Sequence, residues 1–322
     1  MRKTLLLAAI SLLIASFRPI WGFFAYQKIN ELAVFTLPPD MIGFYKKNLS
    51  YIERSAVNPD KRRYAVAEEA PRHFLDLDHY GDSASSCLPR YWDKAVLKYP
   101  PDTLIAHGIL PWHINKVYYQ LKDAFMARDP SRILRLSAEL GHYIADANVP
   151  LHTTQNYNGQ LTGQEGIHAF WESRLPEIFS GTYDYFVGPS TYVPDVQTAA
   201  WNAVFSSHAM VDSVLNEEKM LALRYQEKKY AFETKGNQTI KVYSADYAAA
   251  YHHALRGMVE KQMRASIKMI GDFWYSAWVD AGEPDLKTLI HYTPSAEELK
   301  KYREELNTWK RKSRQPPDHE YE

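Results

Sequence analysis

Residues 140–152 read LGHYIADANVPLH, and the run leading into them from residue 129 reads DPSRILRLSAE. Asp129 supplies an N-cap carboxylate and Pro130 suits the first helical turn, so a helix starts there. It runs through Leu140 and Ile144 to about Ala147 and stops at Val149-Pro150, because the residue before a proline is pushed out of the α region. On that helix His142 and Asp146 are four apart, which sets them on one face one turn apart, where both can reach one metal ion. His152 follows just after the break, and a chain turning at the helix end can bring it back to the same cluster.

The same helical spacing recurs along the chain. Residues 23–35 and 40–50 read as helices split by Pro38-Pro39, followed by 112–127 and 167–179. Residues 194–230 and 246–281 read as two long helices, the second carrying Leu255, Met258, Val259, Met263, Ile267 and Ile270 at spacings of three and four. Residues 59–90 are polar, loop-like and rich in Asp, His and Pro, and 152–166 is a loop with Asn156, Asn158, Gly159, Gly163 and Gly166. Strand signals are weak, with 182–188 and 239–243 the only candidates for a short pair. There is no internal repeat and no flexible linker. The expectation is an all-α protein: one multi-helix domain over residues 21–285, then a C-terminal helix and charged tail over 286–322. Residues 1–20 read as an export signal. Arg2 and Lys3 precede an apolar run from Leu5 to Ala15, shorter than the ~20 residues of a membrane helix. Ala15 and Ser16 suit a signal peptidase, whereas Arg18, Pro19 and Ile20 before Trp21 do not. The chain is thus expected to be exported, to the periplasm or beyond.

The formal net charge is zero, so bulk charge points to neither nucleic acid nor an anionic membrane. The single cysteine, Cys87, excludes an internal disulfide and a multi-cysteine zinc site. Any metal must rest on histidine and carboxylate. A second pair at helical spacing, His168 and Glu172, repeats the arrangement of His142 and Asp146. Either pair alone is as well read as a surface ion pair; two pairs with His152 between them are what a multinuclear zinc site on helices requires. A third cluster comprises Asp60 and the stretch RHFLDLDH over 72–79, with His73 a candidate ligand and His79 open. His107, His113, His208, His252, His253, His291 and His319 lack such partners and read as structural or exposed. Trp274, Tyr275 and Trp278 read as core packing.

The ordered set Trp21, Asp60, His73, His142-x-x-x-Asp146, His152 and His168-x-x-x-Glu172 resembles the zinc-dependent phospholipase C and single-strand nuclease superfamily. The resemblance covers roughly residues 21–175 by motif. It implies a single all-helical domain with clustered zinc ions in a cleft. Asp60, His73, His142 and Asp146 would hold the first ion, and His152, His168 and Glu172 the second. Asp146 would bridge to a third, whose other ligands in the family are the amine and carbonyl of a mature N-terminal Trp and a nearby His. Here Trp21 is present but position 26 is tyrosine, so the third site, on Trp21 and Tyr26, is expected to be weak or empty. The activity implied is hydrolysis of a phosphodiester, with Asp60 orienting the attacking water or taking its proton. Glu172, the His73-Phe-Leu-Asp-Leu-Asp stretch and the lone cysteine lean to the phospholipase C branch. The alternatives are a single-strand nuclease or nucleotidase, and a metal- or lipid-binding protein without turnover. The expected substrate is a phospholipid or nucleic-acid phosphodiester, with no stable protein partner.

Overall fold

Residues 23–63, 65–235 and 238–312 are described by a computed structural model of the chain. The export signal and Trp21 lie outside the described residues. The chain is mostly α-helical, as its periodicity predicts. The helices that build the core and the site are α1 (Phe23–Ala33), α2 (Pro39–Lys47), α3 (Leu49–Ser55), α4 (Asn58–Arg63), α5 (Leu110–Met126), α6 (Pro130–Ala147), α7 (Val196–His208), α8 (Val211–Tyr225), α9 (Ala245–Ala254), α10 (Met258–Asp280) and α11 (Ala296–Lys312). Shorter helical turns link α4 to α5 and α6 to α7. No helix among the described residues is long and apolar enough to cross a membrane.

The centre is a layer of α5 and α6, packed together, with α1, α3 and α10 laid over it. Trp274 of α10 is fully buried, donates its indole N–H to the Ser137 carbonyl of α6 at 3.0 Å, and stacks on Tyr45 of α2 at 5.1 Å. That ties three helices through one ring pair; such pairs contribute about 0.5–1.5 kcal/mol beyond area burial. Helix α1 lies so close to α6 at Gly141 that a Cβ there would stand 2.1 Å from Asn30 Oδ1. The absence of a side chain at 141 is what lets α1 bring Tyr26 down beside His142 and Asp146.

Three local expectations differ from the structure. The strand pair is a hairpin of β1 (Tyr230–Lys235) and β2 (Gln238–Tyr243), antiparallel with Phe232 opposite Lys241. Residues 182–188 form no strand, and the carbonyls of Asp184 and Phe186 instead accept from Arg264. The run 194–230 is not one helix, since it breaks at Ala209–Met210 between α7 and α8 and ends in the hairpin. The run 246–281 breaks between α9 and α10, where Arg256 and Gly257 take left-handed backbone. Periodicity reports which face is apolar and does not register a turn that keeps the face in phase. In the C-terminal part, residues 296–312 form a helix that lies across α4, with Trp309 over the Arg62 guanidinium at 6.0 Å and Tyr302 accepting from Asn58 at 3.3 Å.

Candidate metal centre

Helix α6 begins as its sequence requires, with the Asp129 carboxylate accepting from the Arg132 N–H at 3.0 Å. It ends at Asn148, and Val149 is extended ahead of a single 3-10 turn, Pro150–Thr153. That turn brings His152 back against residues 73–75. The Leu75 N–H donates to the His152 carbonyl at 2.9 Å, and His152 Nδ1 donates to the His73 carbonyl at 2.6 Å. This second bond puts the ring proton on Nδ1 and leaves the lone pair of Nε2 facing inward.

Asp60, His73 and His142 offer donor atoms within 4.8 Å of one another, and so do His152, His168 and Glu172. Asp146 sits between the two sets. Its Oδ2 lies 3.0 Å from His73 Nδ1 and 3.4 Å from His142 Nε2, while Oδ1 lies 3.9 Å from His152 Nε2. In the first set His73 Nδ1 and His142 Nε2 are 3.1 Å apart, and Asp60 Oδ1 is 3.7 and 3.5 Å from them. A tetrahedral ion with bonds of ~2.0–2.1 Å holds its donors about 3.3–3.4 Å apart, the middle of this range. In the second set Glu172 Oε2 is 2.8 Å from His168 Nε2 and 3.1 Å from His152 Nε2. His168 and Glu172 meet at helical spacing, although residues 170–174 are wound as a π-helix, a distortion that recurs at functional sites.

Every donor residue except Asp60 is buried, so the charges act at close quarters. Burial alone pushes the Asp146 carboxyl up; His142, His152 and His73 reverse this and hold it below the ordinary range. Asp60 behaves alike, burial being outweighed by His142 and His73, and Glu172, despite burial, is brought down to about 2 by His168 and His152. Burial depresses His142, yet Asp146 and Asp60 raise it to about 9. The chemistry of the set, carboxylates and imidazoles converging in a dry interior with no thiol, fits a hard or borderline divalent cation. The two clusters can each hold a metal ion.

Tyr26 reaches the same carboxylate. Its hydroxyl donates to Asp146 Oδ1 at 2.5 Å, and its ring stacks on His142 at 4.3 Å. Burial first, and then Asp146, Glu172 and Asp60, push the phenol far above its ordinary pKa. Tyr26 is therefore a hydrogen-bond donor to Asp146 here, and its expected partner Trp21 lies outside the described residues.

Further residues surround the centre. Arg63, three residues after Asp60, lines a narrow cleft that opens on His73, His152 and His168, together with Phe74, Asp76 and Tyr157. Asp76 is buried, its Oδ1 has no hydrogen-bond partner, and burial with the neighbouring Asp78 raises it to about 7. Glu69 is fully buried behind His73. The spacings Asp60-x-x-Arg63 and Glu69-x-x-x-His73 are visible in the sequence, but in a stretch read as loop they carried no face. Among the histidines read as structural, His208 Nδ1 bonds the Thr153 carbonyl at 2.9 Å and so braces the turn that carries His152. His79, left open, stacks on His107 at 3.3 Å.

Comparison of the chain with models of known protein families and with curated proteins gives no match.

Proposed function

We propose that this chain is a zinc-dependent phosphodiester hydrolase of the phospholipase C type, with one zinc on Asp60, His73, His142 and Asp146 and a second on His152, His168 and Glu172. The observation that carries this reading is the split of Asp146, whose two oxygens face two separate donor sets. Paired ions at such a site would offset the negative charge that grows on a phosphoryl group and make a water acidic enough to attack near neutral pH. The chain's residues supply the rest. Asp60 Oδ1 is turned to the two histidines, which leaves Oδ2 to take the proton of the attacking water. As the water oxygen bonds to phosphorus, the bond to the leaving alcohol breaks, and that oxygen is protonated from solvent. Arg63, whose Nη1 lies 3.9 Å from Asp60 Oδ1, would add positive charge beside that carboxylate at the cleft wall. Phe74 and Tyr157, which line the same cleft, would supply the aromatic contact for a quaternary ammonium headgroup.

A second reading is a single-strand nuclease, with Phe74 and Tyr157 at the cleft as the rings on which an unpaired base would stack. The test is turnover of short-chain phosphatidylcholine and of single-stranded oligonucleotides, before and after chelation and with zinc restored. Both activities absent in the zinc-loaded protein would remove the proposal. Oligonucleotide cleavage faster by tenfold, about 1.4 kcal/mol of transition-state preference, moves the assignment to the nuclease branch.

Tyr26 bears on the number of ions. With a phenol bonded to Asp146 Oδ1, we expect two zincs per chain rather than three. Tyr26→His should add affinity for a further zinc beside Asp146. Zinc counted per chain after desalting checks this, and a variant that holds no more zinc than the parent rules it out.

A further inference from the structure

His73 presents Nδ1 to the first donor set and buries Nε2 on the far side, where Nε2 makes no hydrogen bond shorter than 3.5 Å. What it faces there is Glu69 Oε1 at 3.7 Å. This carboxylate is fully buried and rigidly framed. Oε2 accepts from Arg62 Nε at 2.7 Å and from Arg72 at 2.5 Å; Oε1 accepts from Arg62 at 3.1 Å and from the Tyr143 hydroxyl. Arg62 is itself fixed, bonding Glu139 at 2.9 Å and Tyr143 at 3.0 Å.

An ion-pair network alone would account for Arg62, Arg72 and Glu69. Oε1, which Arg62 and Tyr143 hold in place, is also the oxygen that lies at the back of a ligand imidazole. A histidine that gives one nitrogen to a metal carries its proton on the other, and a carboxylate behind it fixes that tautomer and raises the ring's donor strength.

We propose that Glu69 is the positioning residue of the first metal set: it holds the His73 proton on Nε2 and so turns the Nδ1 lone pair to the ion shared with Asp60, His142 and Asp146. The second set has a different orienting acceptor, the His73 carbonyl behind His152, so the effect of Glu69 is confined to one ion. This rests on the metal reading above, and the experiment separates the two.

Metal-free full-length protein is titrated with zinc against a chromogenic chelator, and its thermal stability is measured alongside. The parent protein is expected to bind two ions. Glu69→Gln should weaken one of them by about 10- to 100-fold and leave the other within about threefold. Glu69→Gln also strips a counter-charge from Arg62 and Arg72, which threatens folding. Glu69→Asp keeps that charge and withdraws the carboxylate from Nε2 by one bond, ~1.5 Å; it should fold and weaken the same single ion about tenfold. In the zinc-loaded parent, 15N spectra should show the His73 proton on Nε2, with the tautomer mixed or reversed in the variants. Unchanged affinity in Glu69→Asp, or equal weakening of both ions in step with lost stability, overturns the proposal. A parent protein that binds no zinc overturns the metal centre as well.

Discussion

Asp146→Ala is expected to empty both donor sets at once. Its carboxylate faces both: Oδ2 meets His73 and His142, Oδ1 meets His152 and Tyr26. Truncation removes the shared ligand and leaves the Tyr26 hydroxyl buried without its acceptor, a loss of about 1–3 kcal/mol. Removing a carboxylate also strips the histidines of the charge that raises His142 and His152. Zinc content below one per chain is expected, with phosphodiester turnover reduced by at least about a thousandfold, or roughly 4 kcal/mol. Asp146→Asn, which keeps the volume and one acceptor oxygen, should retain part of the zinc. A folded Asp146→Ala protein that holds two zincs and works within tenfold of the parent would remove Asp146 from its central place.

The second large effect lies outside the donor sets. Gly108→Ala should cost at least about 3 kcal/mol, at the upper end for a single backbone site, and lower the melting temperature by on the order of 10 °C. Gly108 has φ +88°, and a Cβ there would stand 2.1 Å from the Phe74 carbonyl oxygen and 2.6 Å from its carbon. Both are backbone atoms of the segment that carries His73. That segment is bonded to its neighbours on two sides. Ile109 donates to Pro71 at 2.7 Å and Asp76 to His107 at 2.8 Å, while Leu75 donates to His152 at 2.9 Å. The displacement therefore passes to ligands of both sets, and zinc affinity should fall along with stability. Gly188→Ala is the control: φ is +80° but nothing lies within 4 Å, so it reports conformational strain alone, about 1–2 kcal/mol. Equal losses in the two variants would show that the contact with Phe74 has no consequence.

Much of the candidate site was legible because its ligands lie on helices. His142 with Asp146, and His168 with Glu172, are set by the helical repeat, and the proline at 150 marks where the chain turns to bring His152 back. The loop-like stretch 59–90 was the weak point. Asp60 and His73 were found there by their order along the chain. Glu69 was not, because no periodicity assigns a face to short turns. Helix breaks at 209–210 and 255–257 were missed for a related reason: the apolar pattern continues through them. The hairpin partner of residues 239–243 was misplaced because strand signals from single short runs do not fix pairing. The role of Tyr26 as a donor to Asp146 needed the close approach of α1 and α6, which no local pattern reports.

The helix at residues 296–312 adds a long-range support to the first donor set. It braces α4 through Tyr302 on Asn58 and Trp309 on Arg62, and α4 carries Asp60. Helices α5 and α6 are neighbours in sequence and can pair as soon as both are made, giving His142 and Asp146 their places. The brace on α4 closes a loop of more than two hundred residues, among the slowest kinds of contact to form, whereas Arg62 ties α4 to α6 directly through Glu139 and Tyr143, so the helix at 296–312 clamps from outside a position that shorter loops have already set.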